Sequence, residues 1–252
     1  MTHSTETPSR PAELADRLQR VRERISAAPR PVGAPEPQLI VVTKYFPASD
    51  VGILANLGVR DVGENKDQEA AAKAAELARL ELNWHFIGQL QSNKARSVVR
   101  YATAVHSVDR TSLVAALGKA MAGEQRRREG DGQDPRADLS CFLQVDLRAE
   151  QAREADPGRG GAAPADLPAL AEALSTTGGL ALAGLMAVAP LGESPDAAFG
   201  RLRELSGELQ RAYPQADGIS AGMSSDLEAA VANGATHLRI GSDVLGARPP
   251  VR

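Results

Sequence analysis

The stretch Leu39-Ile40-Val41-Val42-Thr43-Lys44-Tyr45-Phe46-Pro47 decides between two α/β folds. Its first five residues are apolar or β-branched, which is typical of a parallel strand that is buried on both faces. An open doubly wound sheet would place a glycine-rich phosphate turn directly after such a first strand. Because Lys44-Tyr45-Phe46-Pro47 follows instead, the sequence favours a closed barrel over that alternative.

Seven further short apolar runs follow, and longer amphipathic segments separate them. The runs lie at 59–63, 84–88, 104–108, 141–145, 182–186, 218–222 and 237–241. Helices are predicted in the segments near 49–57, 64–80, 92–100, 110–128, 165–177, 195–212 and 224–233. Strands that alternate with helices pair in parallel. Eight such units in about 250 residues predict an α/β fold, a (β/α)8 TIM barrel in a single domain.

The segments outside this alternation carry their own predictions. The polar residues 1–10 are expected to form a mobile N-terminus, and the barrel domain is expected to span 11–252. An amphipathic helix is predicted over 11–27, before the first strand. Two segments, 123–138 and 154–165, are predicted to be surface insertions rather than elements, because they are rich in charged residues or in Gly, Ala and Pro.

Composition argues against several classes of protein. The 29 basic and 32 acidic residues give a formal net charge of −3, and no basic block suits a phosphate backbone, so nucleic acid is not an expected partner. No run reaches the roughly 18 apolar residues of a membrane span. The single cysteine, Cys141, cannot form an internal disulfide, and the four histidines lack metal-ligand spacing, so no metal is expected. A cytoplasmic protein is expected.

In a (β/α)8 barrel, the residues that follow the strands form the functional face. Lys44 ends the first strand, where it could be an ordinary solvated lysine or an amine that attaches an aldehyde. Gly222-Met223-Ser224 and Ile240-Gly241-Ser242 form turns after the seventh and eighth strands, where backbone N–H groups can bind an anion, although an ordinary serine cap is the commoner role. The eighth and first strands are neighbours in a closed barrel. Together these features fit a phosphorylated aldehyde cofactor.

Six motifs extend this pattern from Leu39 to Arg248. They are Val42-Thr43-Lys44, Gly63-Glu64-Asn65, Trp84-His85-Phe86-Ile87-Gly88-Gln89-Leu90-Gln91-Ser92-Asn93-Lys94, Gly184-Leu185-Met186, Gly222-Met223-Ser224 and Arg239-Ile240-Gly241-Ser242. Together they resemble the YggS/PROSC family, the pyridoxal phosphate homeostasis proteins, and the longest motif is the most distinctive. The resemblance implies a type III pyridoxal phosphate fold, a barrel like the N-terminal domain of alanine racemase without its second domain. It also implies pyridoxal 5′-phosphate as the cofactor and a function in its intracellular homeostasis.

The resemblance assigns individual residues to this cofactor. Lys44 would form the internal aldimine. Ser224, together with the backbone N–H groups of Gly241 and Ser242, would hold the phosphate, and Asn65 would line the cofactor's other edge. Ser242 stands where the family frequently has threonine, which matters little if the backbone binds the phosphate.

Arg239 would face the pyridine nitrogen. Arginine keeps its proton at any accessible pH and can only donate hydrogen bonds, so it disfavours protonation of the ring. An unprotonated ring is a weak electron sink, so carriage of the cofactor is expected rather than dedicated catalysis, and no catalytic residue is assigned. With Arg252 as the last residue given, the domain that gives racemases their second base is not expected. A pyridoxal phosphate-dependent amino-acid racemase with weak activity is the alternative.

A remoter alternative is a serine hydrolase, because Gly218-Ile219-Ser220-Ala221-Gly222 matches the G-x-S-x-G pattern. His237 and either Asp226 or Asp243 lie downstream. In hydrolases the serine sits on the turn after the strand, whereas Ser220 falls within the predicted strand. His237 also begins the next strand, at the opposite end of the barrel.

The expected partners follow from the resemblance. They are pyridoxal 5′-phosphate itself and, through transient contacts, pyridoxal phosphate-dependent enzymes. No membrane partner is expected, and the protein is expected to be a monomer.

Overall fold

The computed structural model describes residues 9–156 and 158–248 and contains a closed barrel of eight parallel strands. The strands are β1 Gln38–Val42, β2 Asp61–Glu64, β3 Asn83–Phe86, β4 Ala102–Val108, β5 Leu139–Gln144, β6 Leu180–Met186, β7 Gly218–Ser220 and β8 His237–Ile240. They pair in sequence order, and β8 closes the barrel on β1. Every predicted run overlaps one of these strands, so the predicted (β/α)8 barrel is confirmed.

Ten α-helices surround the barrel within the described residues. They are α1 Arg10–Ala27, α2 Ala48–Asn56, α3 Asp67–Glu76, α4 Ala95–Val98, α5 Thr111–Gly130, α6 Glu150–Ala155, α7 Leu167–Ser175, α8 Pro195–Ala212, α9 Leu227–Ala232 and α10 Ser242–Leu245. Short 3-10 turns lie at Ala78–Leu80, Ser92–Lys94 and Pro164–Asp166. In the ranges that the structure covers, no helix is long and apolar enough to cross a membrane.

Successive residues of each strand point to opposite faces of the sheet, so an apolar layer lies outside the barrel and a polar one lies inside it. Val41 and Val62 point outward and join the hydrophobic core between the strands and the surrounding helices. Their neighbours on the other face point into the barrel, where His85 and Arg239 are buried. The barrel therefore carries ionisable side chains in its interior, beneath the face on which the strands end.

Helix α1 covers the seam between β8 and β1. Its buried residues, Leu14, Leu18, Val21 and Ile25, recur every three or four positions, so one face packs against α2, α9 and α10. The helix begins one residue earlier than predicted, at Arg10. Residues 1–8 of the predicted mobile N-terminus lie outside the described residues, whereas Arg10 is anchored to the Asp50 carboxylate (2.6 Å) and the Leu245 carbonyl (3.0 Å).

The segment 123–138 is not wholly an insertion, and this part of the prediction was wrong. Helix α5 continues to Gly130 because the charged residues after Gly123 pair along the helix. Arg127 donates to the buried carboxylate of Glu124 (2.7 Å) and to Asp131 (2.6 Å). Only the second half of the segment is a loop.

The segment 154–165 also differs from the predicted surface insertion. It begins in α6, and its later part crosses the carboxyl ends of two strands. Ala162 forms a parallel bridge with Val145, and the Gly161 N–H donates to Asp109 Oδ2 (3.2 Å). The segment therefore covers the rim of the barrel beside β4 and β5, which its Gly- and Ala-rich sequence did not indicate.

Candidate functional site

Lys44 follows β1 at the rim of the barrel. The preceding residue, Thr43, is fixed by a hydrogen bond from its backbone N–H to the Gly63 carbonyl (2.9 Å). The following residue, Tyr45, has φ of +72°, an uncommon conformation for a residue with a side chain. This tight turn leaves Lys44 half-buried, with its Nζ 5.7 Å from the Tyr45 ring centroid.

Two further cations approach the Tyr45 ring. The Nζ of Lys66 lies 5.6 Å from the ring centroid, and the guanidinium of Arg248 lies 3.8 Å from it. Cations at these distances are attracted by the negative face of an aromatic ring. The rim beside Lys44 is therefore strongly positive, which suits an anionic ligand.

A buried ion pair locks the ends of β1 and β2 together next to Lys44. Lys73 on α3 donates to Glu64 Oε1 (2.6 Å) and to the Thr43 carbonyl (3.0 Å), and the Thr43 hydroxyl donates to the same Glu64 oxygen (2.7 Å). Burial raises the pKa of Glu64, while Lys73 opposes that effect. Lys73 is thus a second lysine near the site, but its amine is already paired.

Asn65 lies directly after β2, against the Gly88 backbone. A Cβ atom on Gly88 would come within 2.3 Å of the Asn65 carbonyl oxygen, which explains the glycine in the longest motif. The Oδ1 of Asn65 and the Oε2 of Glu64 are buried and lack a hydrogen-bond donor among the described residues. Buried polar atoms are normally paired, so these acceptors suit a ligand that brings its own donor.

The turns after β7 and β8 meet at two serines. The Ser242 hydroxyl donates to Ser224 Oγ (3.1 Å). Gly222 has φ of +91°, and a Cβ there would lie 2.6 Å from Ala230. A Cβ on Gly241 would lie 3.2 Å from the Val42 carbonyl oxygen, so this turn passes close to the end of β1. The structure therefore brings together the three residues predicted to hold a phosphate.

The helix after this turn begins later than predicted. A helix was predicted near 224–233, but α9 begins at Leu227 and Asp226 occupies the cap position. Asp226 Oδ1 accepts a hydrogen bond from the Met223 N–H (2.5 Å), which closes the turn without a serine. Ser224 is consequently not used as a cap, and its hydroxyl faces Ser242.

Arg239 is buried within the barrel, 5% exposed. Its Nη1 donates to Ser220 Oγ (2.7 Å), and its Nη2 donates to the Ala187 carbonyl (2.9 Å). Burial lowers the pKa of Arg239 to about 10, although nearby Asp226 opposes this effect. The guanidinium therefore stays charged at neutral pH and is anchored on two sides.

Ser220 does not have the surroundings of a hydrolase nucleophile. It is fully buried at the end of β7, and its Oγ accepts a hydrogen bond from Arg239. The histidine beside it is His106 (Nδ1 to Oγ, 2.8 Å), whereas His237 hydrogen-bonds to Thr236 (2.7 Å). Sequence reasoning missed His106, because its partner lies across the barrel, 114 positions away.

The predicted site residues thus occupy one sector of the rim. Lys44, Asn65 and the serine turns follow β1, β2, β7 and β8, which are consecutive around the closed barrel. Arg239 lies on β8, below that sector. Among the described residues, no group of three or more His, Cys, Asp or Glu side chains could hold a metal ion.

Known proteins resemble this chain over nearly its full length. Residues 17–249 match the family described as alanine racemase, N-terminal domain. The pyridoxal phosphate homeostasis protein of Pseudomonas aeruginosa is 43% identical over 94% of both chains, and that of Mycobacterium tuberculosis is 40% identical over 96% of this chain and 95% of its own. The structure of PipY from Synechococcus elongatus with PLP bound is 37% identical, with a TM-score of 0.75, and covers 92% of this chain and 100% of its own.

Proposed function

The chain belongs to the family of pyridoxal phosphate homeostasis proteins, and we propose that it binds pyridoxal 5′-phosphate at Lys44 and takes part in intracellular homeostasis of that cofactor. The observation that carries the proposal is the meeting of Ser224 and Ser242 beside the seam at which β8 closes on β1. This arrangement puts the turn proposed to bind the phosphate and a half-buried lysine on the same sector of the rim.

The residues present fit the chemistry of the cofactor. Lys44 supplies an amine, to which the cofactor's aldehyde would attach covalently. Ser224, with the backbone N–H groups of Gly241 and Ser242, would bind the phosphate, and the glycine turn lets the backbone approach closely. The buried, unpaired Oδ1 of Asn65 would accept a hydrogen bond from the cofactor's phenolic hydroxyl.

The chemistry of Arg239 favours carriage of the cofactor over a reaction catalysed with it. If it faces the pyridine nitrogen, it can only donate a hydrogen bond there, since a guanidinium with a pKa of about 10 has no proton-accepting atom at neutral pH. The ring nitrogen would then stay unprotonated and withdraw electrons weakly from a bound amino acid. We propose that the protein holds and delivers the cofactor without a dedicated reaction of its own.

Lysine variants test the assignment. After addition of pyridoxal 5′-phosphate and desalting, the wild-type protein should keep the cofactor's visible absorption, and Lys44→Ala should lose it. Lys66→Ala is the matched control, because Lys66 Nζ lies 5.6 Å from the Tyr45 ring centroid, against 5.7 Å for Lys44, but Lys66 is exposed and paired with Glu69 (3.1 Å). Absorption that persists in Lys44→Ala would contradict the proposal.

We further propose a cytoplasmic monomer that passes its cofactor to pyridoxal phosphate-dependent enzymes through transient contacts. Mixing the loaded protein with such an enzyme in its cofactor-free form, in the presence of a trap for free cofactor, tests this transfer. Direct delivery predicts that the enzyme gains activity despite the trap. Activation that the trap abolishes would show release into solution instead.

A further inference from the structure

A continuous chain of hydrogen bonds, which we call the file, runs through the barrel interior from β2 to Arg239. Arg239 Nη1 donates to Ser220 Oγ (2.7 Å), which lies 2.8 Å from His106 Nδ1. His106 Nε2 lies 2.9 Å from His85 Nδ1, and His85 Nε2 lies 3.0 Å from Asp61 Oδ1. The five residues come from five different strands, so the file links the site to the opposite end of the barrel.

With both histidines neutral, the two ends of the file leave one direction for every bond in it. Arg239 can only donate, and an ionised Asp61 can only accept. The Ser220 hydroxyl therefore donates to His106 Nδ1, His106 Nε2–H donates to His85 Nδ1, and His85 Nε2–H donates to Asp61. In this arrangement both neutral histidines carry their proton on Nε2.

A positively charged His85 would be incompatible with this arrangement of hydrogen-bond donors and acceptors. With a proton on both nitrogens, His85 would donate to His106 Nε2, and His106 would have to donate from Nδ1 to Ser220. The Ser220 hydroxyl proton would then have no acceptor among the partners that the structure records for it. A buried donor without an acceptor is destabilising, so the neutral arrangement is favoured.

The surroundings of His106 favour the same state. Its ring is fully buried and stacks on Phe142, with centroids 4.4 Å apart and planes 16° apart. Burial lowers the pKa of His106 well below its usual value, and the positive charge of Arg239 acts in the same direction. At the far end, Asp61 Oδ1 also accepts from Asn83 Nδ2 (3.0 Å), which holds that carboxylate in place.

We propose that His106, His85 and Asp61 are positioning residues that hold Ser220 as the acceptor of Arg239 and so fix the guanidinium toward the ring nitrogen of the bound cofactor. The inference rests on the proposed function, because it needs a cofactor in front of Arg239. With Nη1 on Ser220 and Nη2 on the Ala187 carbonyl, the guanidinium keeps three of its five N–H donors for other partners. The three positioning residues would act on the cofactor through Ser220 and Arg239.

The first test needs no cofactor. Long-range ¹H–¹⁵N correlation NMR of the histidine side chains reports which ring nitrogen carries the proton. We expect both His85 and His106 to be neutral and protonated on Nε2 at pH 7. A proton on Nδ1 of His106, or on both nitrogens of His85, would overturn the inference whether or not the protein binds pyridoxal phosphate.

The second test uses pyridoxal 5′-phosphate labelled with ¹⁵N in its ring. In His85→Phe, the ring nitrogen resonance should move from its wild-type position, and the cofactor should be released about tenfold faster, as expected for the loss of one hydrogen bond to a charged group. His237→Phe is the matched control. The His237 ring also packs against Phe142, on which His106 stacks, with ring centroids 5.1 Å apart, but His237 lies outside the file. It should behave like the wild type.

Ser220→Ala should reproduce the effect of His85→Phe, and Ser220→Thr, which keeps the hydroxyl, should restore the wild-type resonance. A wild-type resonance and release rate in both His85→Phe and Ser220→Ala would overturn this inference alone. Failure of the wild-type protein to take up the labelled cofactor would overturn the proposed function, and this inference with it.

Discussion

Gly88 determines where Asn65 lies, although its own position is outside the strands. Gly88→Ala would force a methyl group against the Asn65 carbonyl oxygen, at 2.3 Å in the present backbone. We expect the displaced Asn65 to weaken cofactor binding about tenfold and to lower the free energy of unfolding by about 1–3 kcal/mol. Titration with pyridoxal phosphate and urea denaturation measure the two effects.

Gly52 offers the control for this prediction. It lies inside α2, and a Cβ there would meet no atom within 4 Å. Gly52→Ala should stabilise the protein by about 0.5–1 kcal/mol, because alanine favours the helix, and should leave cofactor binding unchanged. Equal effects of the two substitutions on binding would contradict the role given to Gly88.

Lys73 stabilises the rim through a pair that is almost wholly out of water. Lys73→Met would leave the Glu64 carboxylate, which is 1% exposed, without its cation. We expect a loss of about 3 kcal/mol in the free energy of unfolding, measured by urea denaturation at pH 7. The double variant Glu64→Gln with Lys73→Met should recover much of that loss, since no buried charge remains. A double variant as unstable as Lys73→Met would count against this explanation.

At the scale of elements, helix α1 holds in place the two turns, after β7 and after β8, that form the proposed phosphate site. Arg24 donates to the Ser224 carbonyl (3.0 Å) and to Asp243 (2.6 Å), and it pairs with Glu228 (2.8 Å). Arg24→Ala should therefore accelerate cofactor release several-fold, while the free energy of unfolding falls by only about 1 kcal/mol. Stopped-flow dilution of the loaded protein measures the release rate.

Arg20 provides a comparison on the same helix. It is exposed, and its ion pair is with Asp16 within α1. Arg20→Ala should leave the release rate at the wild-type value. If Arg20→Ala and Arg24→Ala behaved alike, α1 would act only through its overall charge and not through the bonds to the two turns.

The elements were largely predictable, because parallel strands buried on both faces appear as continuous apolar runs. The rim positions of Lys44, Asn65 and Ser224 followed from that topology. The connection from Ser220 to His106 was not predictable, because it depends on which strands face each other across the interior. A helix near 110–128 was predicted, but the overlapping prediction of an insertion from Gly123 was wrong up to Gly130, since the charged residues suggested a solvated loop before their pairing was known.

At the scale of the whole molecule, buried histidines link stability to pH. In the folded protein, burial lowers the pKa of His106 well below its ordinary value of 6.5 and that of His237 to about 4. The unfolded chain therefore binds more protons than the folded one below pH 6.5, so stability falls as the pH drops. Each histidine should contribute about 1.2 kcal/mol between pH 6 and 5.

His106→Gln tests this link. It removes one of the two histidines whose pKa burial lowers, so the loss of stability between pH 6 and 5 should be smaller by about 1.2 kcal/mol than in the wild type. Burial raises the pKa of Glu64, so this residue makes the folded state more stable as the pH falls. Because it does so in both the wild type and His106→Gln, its contribution cancels in the comparison. Urea denaturation across this range measures the slopes. Equal slopes would mean that His106 is protonated in the folded state.

The most direct measurement locates the lysine that carries the cofactor. The protein is loaded with pyridoxal 5′-phosphate, reduced with borohydride to make the attachment permanent, digested and analysed by mass spectrometry. We expect the modified lysine to be Lys44, the residue that follows β1. Modification of Lys66 or Lys94 in its place, or of no lysine at all, would contradict this expectation.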